Sequence, residues 1–145
     1  TSRGHVRIRT SKPTDAPQIV FNYLSTEQDR KEFRAAIRLT REVFAQKAFD
    51  ALRGEELEPG PGIRSDAEID AFIRARAEAD YHSVGTCRMG QDELAVVDER
   101  LRVRGLDGLR VVDASVIPHM IGGNTGMPVI MIAEKAADMI RNHQG

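Results

Sequence analysis

The chain has 145 residues, 21 of them basic and 22 acidic, and its formal net charge is -1. This balance gives no electrostatic reason to expect nucleic acid or an anionic membrane as a partner, and the single cysteine, Cys87, excludes an internal disulfide and a cysteine-rich zinc site. Hydrophobic residues make up 41% of the chain and charged residues 30%, which is typical of a globular domain and excludes wholesale disorder.

Two strands are predicted near the start of the chain. Residues 5–10 alternate between apolar and polar side chains, with Val6 and Ile8 on one side, and this period of two indicates a half-buried strand. Residues 18–24 are more continuously apolar and predict a second, more buried strand.

A long amphipathic helix is predicted to follow these strands. Ser25 and Gln28 match the pattern of a capping box, which opens a helix. Apolar side chains then recur every three or four residues, so the helix is predicted over residues 26–53. The charged residues of this segment are interpreted as a solvated face. They are Arg34, Arg38, Arg41, Glu42 and Lys47.

The second half of the chain alternates between regular and irregular segments. Ser65 and Glu68 form a second capping-box pattern and predict a shorter helix. A final helix is predicted over residues 127–141. Short strands are predicted around residues 95–97, 101–103 and 109–113.

Two irregular segments, 80–90 and 113–126, lie between these elements, and loops fixed to rigid elements are where sites tend to be built. His82, in the first segment, is the best candidate general base, because an imidazole has an unperturbed pKa of about 6.5. A hydrogen-bonded structural role is the alternative. His119, in the second segment, is a weaker candidate for lining a site.

Glycines precede the last helix in the stretch 122–126. They let backbone N–H groups approach a ligand, and the helix dipole adds about half a positive charge there, so an anion or an electron-rich heterocycle would be stabilised. An ordinary N-cap by Asn124 or Thr125 is the alternative. Asp113 follows an apolar run and could bind a ribityl or ribose hydroxyl, or serve as a turn residue. The sequence contains no metal-ligand spacing, nucleophile elbow, phosphate-binding loop or dinucleotide-binding glycine motif.

In their order along the chain, these local patterns resemble the C-terminal region of the glucose–methanol–choline (GMC) flavin oxidoreductases. The residues that carry the resemblance are His-x-x-Gly-Thr-Cys-x-Met-Gly at 82–90, Arg-Val-x-Gly-Leu-x-Gly-Leu-Arg-Val-Val-Asp-Ala-Ser at 102–115, and Gly-Asn-Thr before the last helix. The stretch 21–60 is most similar to members that oxidise choline. The stretch 121–125 is more similar to bacterial members that oxidise aliphatic alcohols.

The resemblance assigns roles to individual residues. It implies that the catalytic histidine of the family is His82 and that the second catalytic position, which is His or Asn in the family, is Asn124. It also implies cofactor contacts, which fall on Asp113, Ala114, Asn124, Thr125 and Gly126. The chain departs from many members at Ser83, where they have proline, and at residues 127–129.

The resemblance further implies an α+β fold with a mostly antiparallel sheet packed with helices, as in the C-terminal, substrate-binding domain of the family. Residues 1–90 would form substrate-domain strands and helices with the catalytic histidine loop, and residues 91–145 would return to the FAD-binding domain. The chain, which begins without Met, is therefore expected to be the C-terminal portion of a longer protein that binds FAD mainly through its preceding domain. The portion alone is expected to be inactive.

The implied activity is oxidation of a primary alcohol, with choline to betaine aldehyde favoured, by proton abstraction and hydride transfer to flavin N5. The implied partners are a small-molecule alcohol, an electron acceptor such as a quinone or respiratory carrier, and a second copy in a homodimer. Another aliphatic or aromatic alcohol as substrate, and oxygen as acceptor, stay open. The non-enzymatic alternative is that the chain is a substrate-cap or dimerisation module without catalytic residues.

The expected location is the cytoplasm, with peripheral association at the inner membrane of a bacterium as an open alternative. The most apolar run, residues 127–140, is interrupted by a proline and charged residues. It falls short of the roughly 20 apolar residues that a membrane span requires.

Overall fold

The computed structural model describes residues 1–142 and divides into two compact units, Thr1–Glu78 and a second unit that begins at Ala79. The described residues form two short strands, three α-helices and two 3-10 turns, so the predicted α+β class is confirmed. None of the helices in this part of the chain has both the length and the apolar character that crossing a membrane requires.

The sheet of the first unit is a two-stranded antiparallel ribbon of β1 (His5–Arg7) and β2 (Gln18–Val20), with His5 opposite Val20. The backbone of Gly4 lies against the second strand, because a Cβ added there would sit 1.9 Å from the carbonyl oxygen of Val20. Only glycine leaves room for this approach, so the ribbon depends on Gly4 for its closure.

Both strands are shorter than the predicted segments 5–10 and 18–24. After the second strand the backbone of Asn22 and Leu24 turns left-handed, with φ of 56° and 57°, and such residues end an extended ladder. The Asn22 amide bonds the carbonyl of Arg3 at 3.0 Å, which helps to hold this turn. The continuous apolar character of residues 18–24 therefore belongs partly to a turn.

The long helix, α1 (Glu27–Phe44), begins one residue later than the predicted capping box. Thr26 is the N-cap, and its hydroxyl accepts a hydrogen bond from the backbone N–H of Asp29. The helix ends nine residues before the predicted end at 53, because Gln46 adopts an extended backbone and a separate 3-10 turn, Lys47–Phe49, follows. The chain then folds back over the end of the helix, where Arg53 Nη1 donates to the carbonyl of Phe44 at 2.6 Å.

The interpretation of the charged face of α1 as solvated is wrong for Arg34, which is only 8% exposed. Its guanidinium contacts both carboxylate oxygens of Asp70, at 2.9 and 2.7 Å, and Glu27 at 2.6 Å. Phe33, on the apolar side, is 45% exposed. The buried Arg34 therefore connects this helix to the next one. The helical period alone did not predict that Arg34, unlike the other charged residues of this face, would be buried.

The next helix, α2 (Asp66–Arg76), confirms the second capping box. The Ser65 hydroxyl accepts from the backbone N–H of Glu68, and the Glu68 carboxylate accepts from the backbone N–H of Ser65. Ile69 and Ile73, one turn apart, are both buried, so this helix presents the apolar stripe that its sequence predicts.

The second unit is built around a small core. Val97, Leu101 and Val116 are buried together with Ala136, which lies on the last helix, α3 (Gly126–Arg141). The 3-10 turn Ala114–Val116 contributes Val116 to this core. Residues from a loop, a turn and a helix therefore meet without a continuous sheet.

The three strands predicted in this unit are reduced to isolated bridges. Val97 pairs with Val103 and Arg102 with Arg110, both antiparallel. The chain reverses too often for longer ladders, since Leu101 has a positive φ of 62°. The carboxylate of Asp98 stabilises this reversal by accepting from the backbone N–H of Arg102 at 2.9 Å.

Replacing Glu68 by Gln should remove an acid-sensitive part of the stability of α2. Backbone and hydroxyl donors of Ser65, together with the backbone N–H of Arg64, lower the pKa of Glu68 from 4.5 to about 2. Because the folded-state pKa is depressed, the carboxylate stabilises the folded chain above pH 4.5, and this contribution disappears as the pH falls towards 2.

Urea unfolding of the two proteins, followed by circular dichroism, should therefore show a stability difference that is largest near pH 6 and smallest near pH 2.5. The exposed Glu78→Gln, which removes a carboxylate that takes no part in a capping box, is the matched control. A Glu68→Gln difference that does not change with pH would contradict the role of the ionised capping box.

Candidate active site around His82

The two irregular segments of the second unit are joined by backbone hydrogen bonds. The N–H of Cys87 donates to the carbonyl of Ser115 at 3.0 Å, and the N–H of Met89 donates to that of Val116 at 2.8 Å. Because Val116 is fully buried, the loop 80–90 is anchored to the core of the unit. The structure thus brings together the two segments in which the sequence placed a site.

His82 lies in this anchored loop and is half-buried. Its Nδ1 is 2.7 Å from the hydroxyl of Thr125, and its Nε2 is 3.6 Å from a carboxylate oxygen of Asp80. The preceding residue, Tyr81, is almost fully exposed and has a positive φ of 55°. One ring nitrogen is therefore restrained within the unit, while the other faces an exposed carboxylate.

Thr125 is the N-cap residue of α3, but its side chain makes no capping hydrogen bond. It is only 5% exposed, and its hydroxyl is directed to His82 instead. The alternative that Thr125 is an ordinary capping side chain is therefore wrong. Its backbone N–H also points towards His82 Nδ1, at 3.5 Å.

The approach to the first turn of α3 is open. Asn124 and Gly126 are exposed, and a Cβ added at Gly122, Gly123 or Gly126 would meet no atom within 4 Å. Within residues 1–142, no hydrogen bond engages the side chain of Asn124. Since the first N–H groups of a helix have no partner inside the helix, this end presents donors and an unengaged amide to its surroundings.

Asp113 and Ala114 lie at the 3-10 turn beside the anchored loop. The Asp113 carboxylate accepts from the backbone N–H of Ser115 at 2.8 Å and from the Ser115 hydroxyl. The turn role considered for Asp113 is thus present in the structure. It also fixes Ser115, whose carbonyl accepts the bond from Cys87.

An ion pair closes the end of the histidine loop. Arg88 contacts both carboxylate oxygens of Asp92, and the guanidinium lowers the pKa of that carboxyl well below its ordinary value. Between these two residues, Gly90 is crowded, since a Cβ there would lie 3.2 Å from that of Ala95. The loop is therefore constrained on the C-terminal side of His82.

The side-chain partner of His82 was not foreseen from the sequence, where Thr125 was assigned to the cofactor. Nothing in the sequence distinguishes a threonine that caps a helix from one that bonds a distant imidazole. His119 is exposed. The part of the chain that the structure describes contains no group of three or more potential metal-ligating side chains.

Comparison with known proteins shows a match to a family model described as GMC oxidoreductase, over residues 1–133. Among curated proteins, the chain is 55% identical over 140 residues to an oxygen-dependent choline dehydrogenase of Proteus mirabilis. The match covers 97% of this chain and 25% of that protein. The chain therefore spans about a quarter of the length of this relative.

Solved structures give the same picture. The chain is 41% identical to pyridoxine 4-oxidase from Mesorbium loti, with a TM-score of 0.91 over 99% of this chain and 28% of that one. It is 30% identical to an Aspergillus oryzae formate oxidase studied for FAD modification, with a TM-score of 0.90 over 99% of this chain and 25% of that one.

Proposed function

The chain belongs to the GMC oxidoreductase family, and we propose that it is the part of an FAD-dependent oxidoreductase that carries the catalytic residues for oxidising a primary alcohol. The observation that carries the proposal is the geometry of His82, whose Nδ1 is bonded to Thr125 beside the open end of α3. The ring is held at one nitrogen, and the other can act on a substrate.

FAD is the cofactor proposed for the complete protein, and the residues present here fit it. The open first turn of α3, with Gly126 exposed, would stabilise negative charge on the pyrimidine edge of a flavin. Asn124, Thr125 and Gly126 would lie along the ring, and Asp113 with Ala114 would approach the cofactor from the 3-10 turn. When bound, FAD supplies the hydride acceptor.

His82 is proposed as the group that receives the hydroxyl proton of the alcohol. The bond to Thr125 occupies Nδ1, so the proton goes to Nε2. The substrate hydroxyl loses its proton while the carbon loses a hydride, and an alcohol becomes an aldehyde. A positioned base of this kind contributes about 10²–10⁴-fold to a rate.

Asn124 is proposed to stabilise the developing alkoxide. Its amide is exposed at the start of α3, and no hydrogen bond within residues 1–142 engages it. A neutral amide donates to negative charge without removing the proton that His82 has accepted. An oriented donor in a dry site lowers a barrier by about 2.7–4 kcal/mol.

Choline is the proposed substrate. The relative in Proteus mirabilis is named for choline, and His82 is preceded by an exposed carboxylate, Asp80, and an exposed aromatic ring, Tyr81. A quaternary ammonium group is attracted both by carboxylates and by the faces of aromatic rings. These two side chains would hold the cationic end of choline while its hydroxyl faces Nε2.

A quinone or a respiratory carrier is the proposed electron acceptor, and a homodimer the proposed assembly. Assays of the complete protein with an oxygen electrode and with a soluble quinone distinguish the acceptors. The curated relative is named oxygen-dependent, which favours oxygen as the alternative acceptor. Faster turnover with oxygen than with quinone would overturn the quinone assignment.

Replacing His82 by Ala in the complete, FAD-loaded protein should slow flavin reduction by choline about 10²–10⁴-fold, since the proton acceptor is lost. Rapid-mixing absorbance measures this rate, and the flavin spectrum reports whether FAD stays bound. His5→Ala, in the exposed strand β1, is the control and should leave the rate unchanged. Near-normal reduction by the His82 variant would refute the proposal.

Replacing Asn124 by Ala should slow the same step about 10²–10³-fold, the cost of losing one oriented donor to an oxyanion. Flavin content should change little, because backbone N–H groups at the start of α3 remain. The measurement is again single-turnover flavin reduction, compared with that of Asn124→Asp, which keeps the shape but adds a negative charge. Unchanged rates in both variants would remove Asn124 from the mechanism.

Replacing Asp80 by Asn should raise the KM for choline roughly two- to five-fold, the size of an exposed ion pair. The KM for 3,3-dimethylbutan-1-ol should stay constant, since this neutral alcohol has the shape of choline but no charge. Steady-state kinetics with both alcohols test this. An equal change for the two substrates would show that Asp80 does not recognise the ammonium group.

A further inference from the structure

We propose that Thr125 is a positioning residue for His82, and that its hydroxyl allows Nε2 of the imidazole to act as the proton acceptor. The proposal rests on the proposed function and refines it. It assigns the Thr125 side chain to the catalytic histidine, whereas the family resemblance assigned this residue to the cofactor.

The first support is the way the α-helices of the described residues are capped. Thr26 and Ser65 both accept a hydrogen bond from a backbone N–H of the helix they precede. Thr125 holds the same place before α3, yet its hydroxyl makes no such bond. A side chain well suited to capping is used for another contact.

The second support is the burial and length of that contact. Thr125 is 5% exposed, and its hydroxyl lies 2.7 Å from His82 Nδ1. A buried hydroxyl requires a partner, and here the partner is an imidazole nitrogen. The bond joins residues that are 43 positions apart in the chain, so it fixes the loop of His82 to the start of α3.

The third support is the chemistry of the two donors at position 125. The backbone N–H, 3.5 Å from Nδ1, can only donate, and it favours an imidazole whose proton is on Nε2. The hydroxyl can donate or accept. When it accepts from a protonated Nδ1, Nε2 carries a lone pair and can take the substrate proton.

The hydroxyl is therefore the group that makes the proton-accepting tautomer of His82 available. Without it, Nδ1 would face only a methyl group and a backbone donor, and Nε2 would retain a proton. Asp80, the exposed carboxylate near Nε2, can only accept a hydrogen bond, so it stabilises the ring once Nε2 has taken the proton. The bond to Thr125 then sets both the orientation and the tautomer of the base.

The test compares Thr125→Val, which keeps the shape but lacks the hydroxyl, with Thr125→Ser, which keeps the hydroxyl, in the complete FAD-loaded protein. Thr125→Val should slow flavin reduction by roughly ten-fold to a hundred-fold, by analogy with loss of the hydrogen-bond partner that orients a metal-bound histidine. The KM and the flavin content should be unchanged. Thr125→Ser should restore most of the rate.

Thr26→Val is the matched control, because Thr26 has a true capping bond. It should lower the melting temperature and leave the rate unaltered, whereas Thr125→Val should lower the rate. In the double variant with His82→Ala, Thr125→Val should cause no further loss of rate, since it acts through the imidazole.

Loss of FAD from Thr125→Val would overturn the proposal in favour of a cofactor contact. Equal rates for Thr125→Val and Thr125→Ser, whether normal or slow, would also overturn it, because the hydroxyl would then not be the decisive group. An additional loss in the His82→Ala background would show a separate role. A wild-type protein that oxidises no alcohol would instead refute the proposed function.

Discussion

Two backbone hydrogen bonds, from Cys87 to Ser115 and from Met89 to Val116, hold together the second unit of this chain. The first segment has no helix or strand and the second has only the 3-10 turn Ala114–Val116, so the conformation of each depends on the other. The fully buried Val116 places these bonds at the edge of the core. His82 comes to Thr125 because its loop is fixed in this way, and the proposed chemistry depends on that contact.

Local rules predicted the parts of the fold that local interactions determine. Ser65 and Glu68 predicted the start of α2, because both halves of a capping box lie within four residues of each other. The last helix and the two irregular segments were also predicted, since glycines and a change of period mark them. The catalytic roles of His82 and Asn124 were implied by the family resemblance, which the motifs carry in their order along the chain. His82 lies where the segments 80–90 and 113–126 are joined.

Three features that the sequence did not predict depend on non-local interactions: the burial of Arg34, the end of α1 and the partner of His82. The helical pattern places Arg34 at the surface, but the carboxylates of Asp70 from α2 and of Glu27 make its burial favourable. The long helix stops at Phe44 because the chain folds back to cover its end. The partner of His82 is 43 residues away, and no period or spacing in a single sequence reports such a contact.

Because the Thr125 hydroxyl bonds His82 and does not cap α3, the start of this helix depends on the histidine loop. The first turn of α3 lacks a side-chain cap. The bond to His82 is therefore part of what holds the turn in place. By thermodynamic linkage, any event that strengthens this bond also stabilises the turn, and fraying of the turn releases the imidazole. Local unfolding of a few residues would thus release His82 from the position that its proposed role requires, while the rest of α3 stays folded.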